Sequence, residues 1–281
     1  MTGAVGVRPA GVDVALRAGH PLVCGILNVT PDSFSDGGRY LDPAVAVAHG
    51  RRLAAEGADL IDVGGESTRP GSRPPTVDEE LDRVIPVVEA LAACTGVPVS
   101  ADTSRPEVMR EAVRAGASMI NDVRALREPG ALAATAELGV PVCLMHMQHE
   151  PRTMQDAPRY RDVVTEVRGF LDDRLRACER AGLPRRLLLV DPGFGFGKSL
   201  DHNLALLARL RDLTALGVPV MVGLSRKSMI GAVTGRAVEH RLPGSVAAAV
   251  LAAQNGANVL RVHDVAATRD ALAVVAATAG F

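Results

Sequence analysis

Three short stretches decide the fold: Gly57-Ala58-Asp59-Leu60-Ile61-Asp62, Gly116-Ala117-Ser118-Met119-Ile120-Asn121 and Gly256-Ala257-Asn258-Val259-Leu260-Arg261. Each opens on a glycine that follows a helix-like stretch, where a left-handed residue ends a helix. Each then enters a short apolar run of strand character and reaches a polar residue five positions after the glycine. A second unit, Gly-Val-Pro-Val, begins at Gly96, Gly139 and Gly217. It reads the same way, because proline is tolerated at the first residues of a strand.

Apolar runs at 22–27 and 187–190 bring the strands to eight. Helical patterns fall near 43–56, 77–94, 106–115, 129–137, 161–181, 200–212, 241–254 and 264–278. Eightfold alternation without a linker predicts an α/β single domain over residues 1–281, a closed (βα)8 TIM barrel. Residues 1–20 fit no βα unit and are expected to cap the barrel base. The alternative, a doubly wound open sheet, usually carries Gly-x-Gly-x-x-Gly after its first strand, which is absent here.

Composition agrees. Aromatics are 2% of 281 residues and apolar residues 47%, so the core is built from Val, Leu, Ile and Ala, as suits parallel strands covered on both faces. With 31 basic against 32 acidic residues and no basic run, a nucleic-acid partner is not expected. Cys24, Cys94, Cys143 and Cys178 are scattered, which reads as reduced thiols of a cytoplasmic protein. No apolar stretch nears the roughly 20 residues of a membrane span, so no membrane partner is expected. Only Lys198 and Lys227 are lysine; every other basic residue is arginine. Where a compact, rotatable ammonium is needed, arginine's planar fork cannot replace it.

The repeat also fixes where polar groups land. Equal offsets and a common strand period place Asp62, Asn121 and Arg261 at similar height and direction. Asp102 and Asp191 follow Val99-Ser100-Ala101 and Leu188-Leu189-Val190 in the same way. Strand C-termini form the active-site end of a (βα)8 barrel, so five polar residues at one mouth argue for a polar ligand. An aspartate such as Asp102, before Thr103 and Ser104, could instead cap the next helix.

The loops carry the rest. Asn28-Val29-Thr30-Pro31-Asp32-Ser33-Phe34-Ser35-Asp36-Gly37-Gly38 and Asp62-Val63-Gly64-Gly65-Glu66-Ser67-Thr68-Arg69-Pro70-Gly71 are the two longest motifs. They are joined by Ala101-Asp102-Thr103, Ile120-Asn121-Asp122, Asp191-Pro192-Gly193-Phe194-Gly195-Phe196-Gly197-Lys198, Gly223-Leu224-Ser225-Arg226-Lys227-Ser228 and Leu260-Arg261-Val262-His263-Asp264. In this order, from Gly25 to the final helix, the chain resembles the dihydropteroate synthase family of pterin-binding enzymes.

The resemblance implies a reaction: a pterin methyl diphosphate condensed with p-aminobenzoate, releasing diphosphate, in folate biosynthesis. It implies that Asp102, Asn121, Asp191 and Lys227 bind the pterin ring, that Thr68, Arg261 and His263 complete the pterin diphosphate site, and that Lys227, Arg261, His263 and Asp102 carry the catalysis. Phe34, Thr68, Arg69, Pro70, Ser225 and Lys227 are implied to hold p-aminobenzoate. Asn28 is the implied Mg²⁺ ligand, a single neutral oxygen that suits a metal arriving with the diphosphate; the competing reading of Asn28 as a bare sequence feature is a strand-end turn former. A homodimer and a sulfonamide target are implied too. The family's mobile loops correspond to residues near 29–40 and 65–76.

The chain departs from the family after the fifth strand, where Gln148 is followed by His149-Glu150-Pro151 instead of Gly-Thr-Pro. Gly197-Lys198-Ser199 ends like a phosphate-binding loop, but Pro192 stands where that loop needs its first glycine. His146 and His149 are spaced for zinc without an evident third ligand. Two rivals share the pterin pocket: a pterin-dependent methyltransferase barrel, which has no use for diphosphate groups, and a non-catalytic pterin-binding paralogue.

Overall fold

The computed structural model describes residues 21–30, 43–67, 73–149, 153–154 and 157–278. Eight parallel strands run β1 Leu22–Asn28, β2 Leu60–Gly64, β3 Val99–Asp102, β4 Met119–Asp122, β5 Val142–Met145, β6 Leu188–Asp191, β7 Met221–Val222 and β8 Val259–Val262. Their order around the sheet is β6-β5-β4-β3-β2-β1-β8-β7, and a Val190–Val220 bridge joins the two ends. The result is the expected (βα)8 barrel. The expected base cap, residues 1–20, lies outside the described residues.

Each of the six repeat glycines has positive φ, from 62° at Gly139 to 111° at Gly116, so each ends its helix and turns the chain into the next strand. The helices are α1 Pro43–Ala55, α2 Val77–Cys94, α3 Pro106–Arg114, α4 Ala131–Leu138, α5 Val163–Arg180, α6 Leu200–Ala208, α7 Arg211–Thr214, α8 Ser228–Thr234, α9 Leu242–Gln254 and α10 Val265–Thr278. One expected helix, near 200–212, is broken into α6 and α7 around Arg209 and Leu210. The short α8 was not expected at all; it directly follows Lys227, its first-turn flank.

Strand alternation sorts side chains into two cores. Outward residues such as Val23, Ile61, Val99, Ile120, Leu144, Val190 and Leu260 pack under the helices. Inward residues Leu22, Cys24, Leu60, Met119, Cys143, Leu189, Met221 and Val259 fill the barrel base as a separate cluster. Period two then places the next inward residue of each strand above that plug. From Leu60 it is Asp62, from Met119 Asn121, from Leu189 Asp191 and from Val259 Arg261. The lumen is apolar below and polar above, and the change comes within one step along the strands.

Candidate active site at the C-terminal mouth of the barrel

The three polar residues that share the repeat offset bond to one another. Asn121 Nδ2 donates to Asp62 Oδ2 at 3.0 Å, and Arg261 Nε donates to the same oxygen at 2.6 Å. Arg261 Nη2 also donates to Asp102 Oδ2 at 2.8 Å. One guanidinium thus spans two carboxylates from two strands, a fork geometry that lysine cannot match. Asp102 does not cap a helix: Arg105 precedes α3 and its N–H goes to Thr103 Oγ1. Asp62 is 1% exposed, and its Oδ1, like the adjacent Ser100 Oγ in register with it, has no hydrogen-bond partner among the described residues.

Asp191 stands on the opposite wall, with Oδ1 accepting from Gly193 N at 2.7 Å. Burial raises its pKa, opposed by Lys227, the Gly193 N–H and Arg261. Lys227 reaches the same region from the β7 side. Its ammonium donates to the Phe194 carbonyl and sits 4.7 Å from the Phe196 ring centroid, a cation–π contact. Burial pulls Lys227 down to about 8, with Asp191 opposing and Arg261 adding. Burial likewise raises Asp102, with Asp62, Asp122 and Glu66 adding and Arg261 opposing. Its side chain keeps 18% exposure.

His263 Nδ1 lies 3.0 Å from Ser225 Oγ, which also accepts the His263 backbone N–H. Burial holds His263 down to about 4, helped by Arg261, Arg226 and Lys227 and opposed by Asp264. It therefore faces the mouth as a neutral imidazole and brings no positive charge of its own. Asp264, just before α10, is bound by both arms of Arg226 at 3.0 and 2.5 Å. Sequence reasoning missed Arg226. Its φ of +59° is unusual for a residue with a Cβ, and Ser245 and Arg241 fix its backbone N–H and carbonyl. Nothing in the local pattern signals that role.

Asn28 ends β1 beside Gly64 and is half-buried. Its amide bonds to none of the described residues, and no group of three or more His, Cys, Asp or Glu able to hold a metal exists among them. One free neutral oxygen suits a cation that comes with most of its other ligands. Phe34, Thr68, Arg69 and Pro70 lie outside the described residues. The stem of the loop carrying Thr68, Arg69 and Pro70 is fixed: Arg83 donates to the Gly65 carbonyl at 3.2 Å, Arg124 pairs with Glu66 at 3.6 Å, and Thr76 and Glu79 form a capping box on α2. His146 is committed to Lys198 at 2.9 Å, so the zinc spacing with His149 is not used that way.

Comparisons place these residues among known proteins. Residues 24–263 match the pterin binding enzyme family. The dihydropteroate synthase of Escherichia coli is 55% identical over 264 residues, 94% of each chain. Two solved structures of the Xanthomonas albilineans dihydropteroate synthase superpose closely. The one with 4-aminobenzoic acid has a TM-score of 0.89 at 62% identity, covering 93% of this chain and 94% of that one. The one in complex with 7,8-dihydropteroate has a TM-score of 0.86 at 59% identity, covering 93% and 95%.

Proposed function

The chain belongs to the dihydropteroate synthases of the pterin-binding enzyme family, and we propose how its own residues divide the work of that reaction. The enzyme is a transferase of folate biosynthesis. It condenses (7,8-dihydropterin-6-yl)methyl diphosphate with 4-aminobenzoate to give 7,8-dihydropteroate and diphosphate. One observation carries the assignment of roles: Asp102, Asn121, Asp191, Lys227 and Arg261, from five separate strands or their loops, converge on one buried mouth.

Asp102 and Asp191 accept from the amino and N–H groups of the pterin edge; Asn121 and Lys227 donate to its carbonyl and ring nitrogen. Leaving one such group unpaired in a dry pocket costs about 1–3 kcal/mol, so the edge sets specificity. Arg261 lies between ring and anionic tail. Its Nε and Nη2 are held by Asp62 and Asp102, which fixes the plane of the guanidinium before substrate arrives. His263 gives a neutral N–H to the diphosphate, and the dianion then favours imidazole protonation.

The amine nitrogen attacks the methylene carbon, the carbon–oxygen bond to diphosphate breaks with its electron pair, and the amine loses a proton. Arylamines are neutral near pH 7, so no strong general base is required. Positioning and stabilisation of charge on the leaving group supply the catalysis. Asn28 fits the Mg²⁺ proposed for this site as one protein ligand; bound there, the ion would neutralise charge on the departing diphosphate. Ser225 and Lys227, with Phe34, Thr68, Arg69 and Pro70, are proposed to hold p-aminobenzoate, and Thr68 also to touch the pterin diphosphate.

Helix α9, Leu-Pro-Gly-Ser-Val-Ala-Ala-Ala-Val-Leu-Ala-Ala-Gln, carries no charge, yet Leu242 is 39% and Leu251 49% exposed. A charge-free helix face of this kind fits a second copy of the chain, and we propose a homodimer through it. Light scattering of wild type and Leu251→Glu tests this; an unchanged mass would refute it. Free thiols at Cys24, Cys94, Cys143 and Cys178 agree with the proposed cytoplasmic location. No described helix is long and apolar enough to cross a membrane.

The deciding experiment measures diphosphate release from the pterin substrate with and without p-aminobenzoate. Amine-dependent release with pteroate formation supports the synthase. Ring binding without turnover would return the assignment to a pterin-binding paralogue.

A further inference from the structure

Lys198 has no part in the site described above, yet it is 3% exposed and makes no ion pair among the described residues. Burial pulls its pKa well down, opposed only through space by Asp191, and a methyl-terminated chain would pack in its place at less cost. What it does have is a cage of neutral acceptors: the Gly193 carbonyl at 2.9 Å, the Phe196 carbonyl at 2.9 Å and His146 Nδ1 at 2.9 Å. Three acceptors around one nitrogen match the three N–H bonds of an ammonium.

The cage is made from the same loop that receives Lys227. Gly193, Gly195 and Gly197 have φ of 67°, 78° and 62°, alternating with ordinary residues. The carbonyls of Gly193 and Phe196 turn toward Lys198, while the carbonyl of Phe194, between them, turns toward Lys227. The loop is also pressed onto the end of β5. A Cβ at Gly193 would fall 1.9 Å from the His146 carbonyl oxygen, and one at Gly197 would fall 2.6 Å from that of Gln148. Each lysine thus grips one face of a single turn. A planar guanidinium cannot aim three N–H bonds from one atom, and the chain uses arginine for every other basic side chain.

We propose that Lys198 is a positioning residue for the pterin end of the site: it holds the Gly193–Gly197 turn so that the Phe194 carbonyl and Phe196 ring receive Lys227 at the ring edge. The proposal rests on the reading of Lys227 as a ring donor. It is tested by steady-state kinetics and pH profiles of Lys198→Met. Lost placement of Lys227 raises the KM for pterin diphosphate about 10- to 100-fold, and more weakly the KM for p-aminobenzoate, which Lys227 shares with Ser225 and the loop residues, so the ratio of the two KM values rises. The groups facing Lys227 are Asp191 from β6, Arg261 and His263 from the β8 side, and Lys198 itself. A displaced Lys227 changes its burial and its distances to Asp191 and Arg261, which set its protonation, so the alkaline limb of pterin binding moves. A merely structural lysine would lower the melting temperature and the active fraction but leave both the KM ratio and that limb in place, and this result would overturn the proposal.

Lys198→Arg should fail to restore the wild-type pterin KM; restoration would show that charge alone suffices. If Lys198→Met does not fold, His146→Ala removes one wall of the cage and leaves the lysine. A raised pterin KM in that variant supports the positioning role, and an unchanged one refutes it. Failure of the underlying reading looks different: Lys227→Met would itself keep the wild-type pterin KM.

Discussion

Arg261 and Asp62, 199 residues apart in the chain, meet at 2.6 Å inside the barrel, and the same Asp62 oxygen takes the Asn121 amide. Asp62 thereby orients two ligand-binding side chains without facing the mouth itself. Its second oxygen is buried and has no partner among the described residues, so its charge is balanced chiefly by Arg261.

Asp62→Ala should therefore damage both stability and function. Removing one partner of a buried pair strands the other, at about 3–5 kcal/mol, and Asp102 retains only part of that compensation. Urea unfolding should show a midpoint loss of that order. In the folded fraction, kcat/KM for pterin diphosphate should fall about 100-fold as Arg261 and Asn121 lose their orientation. Near wild-type stability together with wild-type kinetics would contradict the hub.

The pH dependence of pterin binding follows from Lys227, held at about 8 in the free site. A ring acceptor and an anionic tail favour the ammonium, so its pKa rises in the complex and binding takes up a proton. Affinity is then full below the free-site value and weakens as pH rises through it, approaching about tenfold per pH unit until the complex itself titrates. Because Asp102, also held at about 8, gives up a proton on accepting from the ring, titration calorimetry at about pH 8.5 in two buffers of different ionisation enthalpy should read more proton uptake for wild type than for Lys227→Met. Equal proton uptake by the two proteins would contradict the role of Lys227.

Asn28→Ala should raise the Mg²⁺ concentration needed for half-maximal rate, while binding of a pterin lacking the diphosphate stays as in wild type. The second half of that outcome separates a metal ligand from a strand-end turn former. A Mg²⁺ dependence identical to wild type would remove Asn28 from the metal site.

Two glycines make opposite predictions. Gly169, exposed within α5, has no atom within 4 Å of a built Cβ, so Gly169→Ala should stabilise the protein by about 0.5–1 kcal/mol. Gly139 has equal space but a φ of +62°, so Gly139→Ala should destabilise it by about 1–2 kcal/mol. Thermal melts of the pair test whether backbone conformation alone decides the sign.

Much of this was legible in the sequence because one repeated unit encodes two things at once. The glycine of each unit ends a helix and starts a strand, and the residue five positions later lands in the lumen. That is why Asp62, Asn121 and Arg261 could be placed together before any coordinates. What the pattern could not convey is contact across the chain. The Arg226–Asp264 pair, the left-handed turn at Arg226 and the neutral state of His263 all depend on neighbours brought in by β7, β8 and α9. Break points within helices were missed for a related reason: the split between α6 and α7 leaves the apolar spacing almost intact. Phe34, Thr68, Arg69 and Pro70 were legible as motif residues only, and they fall outside the described chain.

Around most of its circumference the barrel wall is laced by several paired residues per strand, but β6 meets β7 at Val190–Val220 alone. The weakest stitching lies directly under the loops that carry Asp191, Phe194 and Lys227. A pterin touching both Asp191 and Lys227 would act as a rivet across that seam. Ligand should thus slow amide exchange at Val190 and Met221–Val222 more than between β2 and β3, where the lacing is already tight.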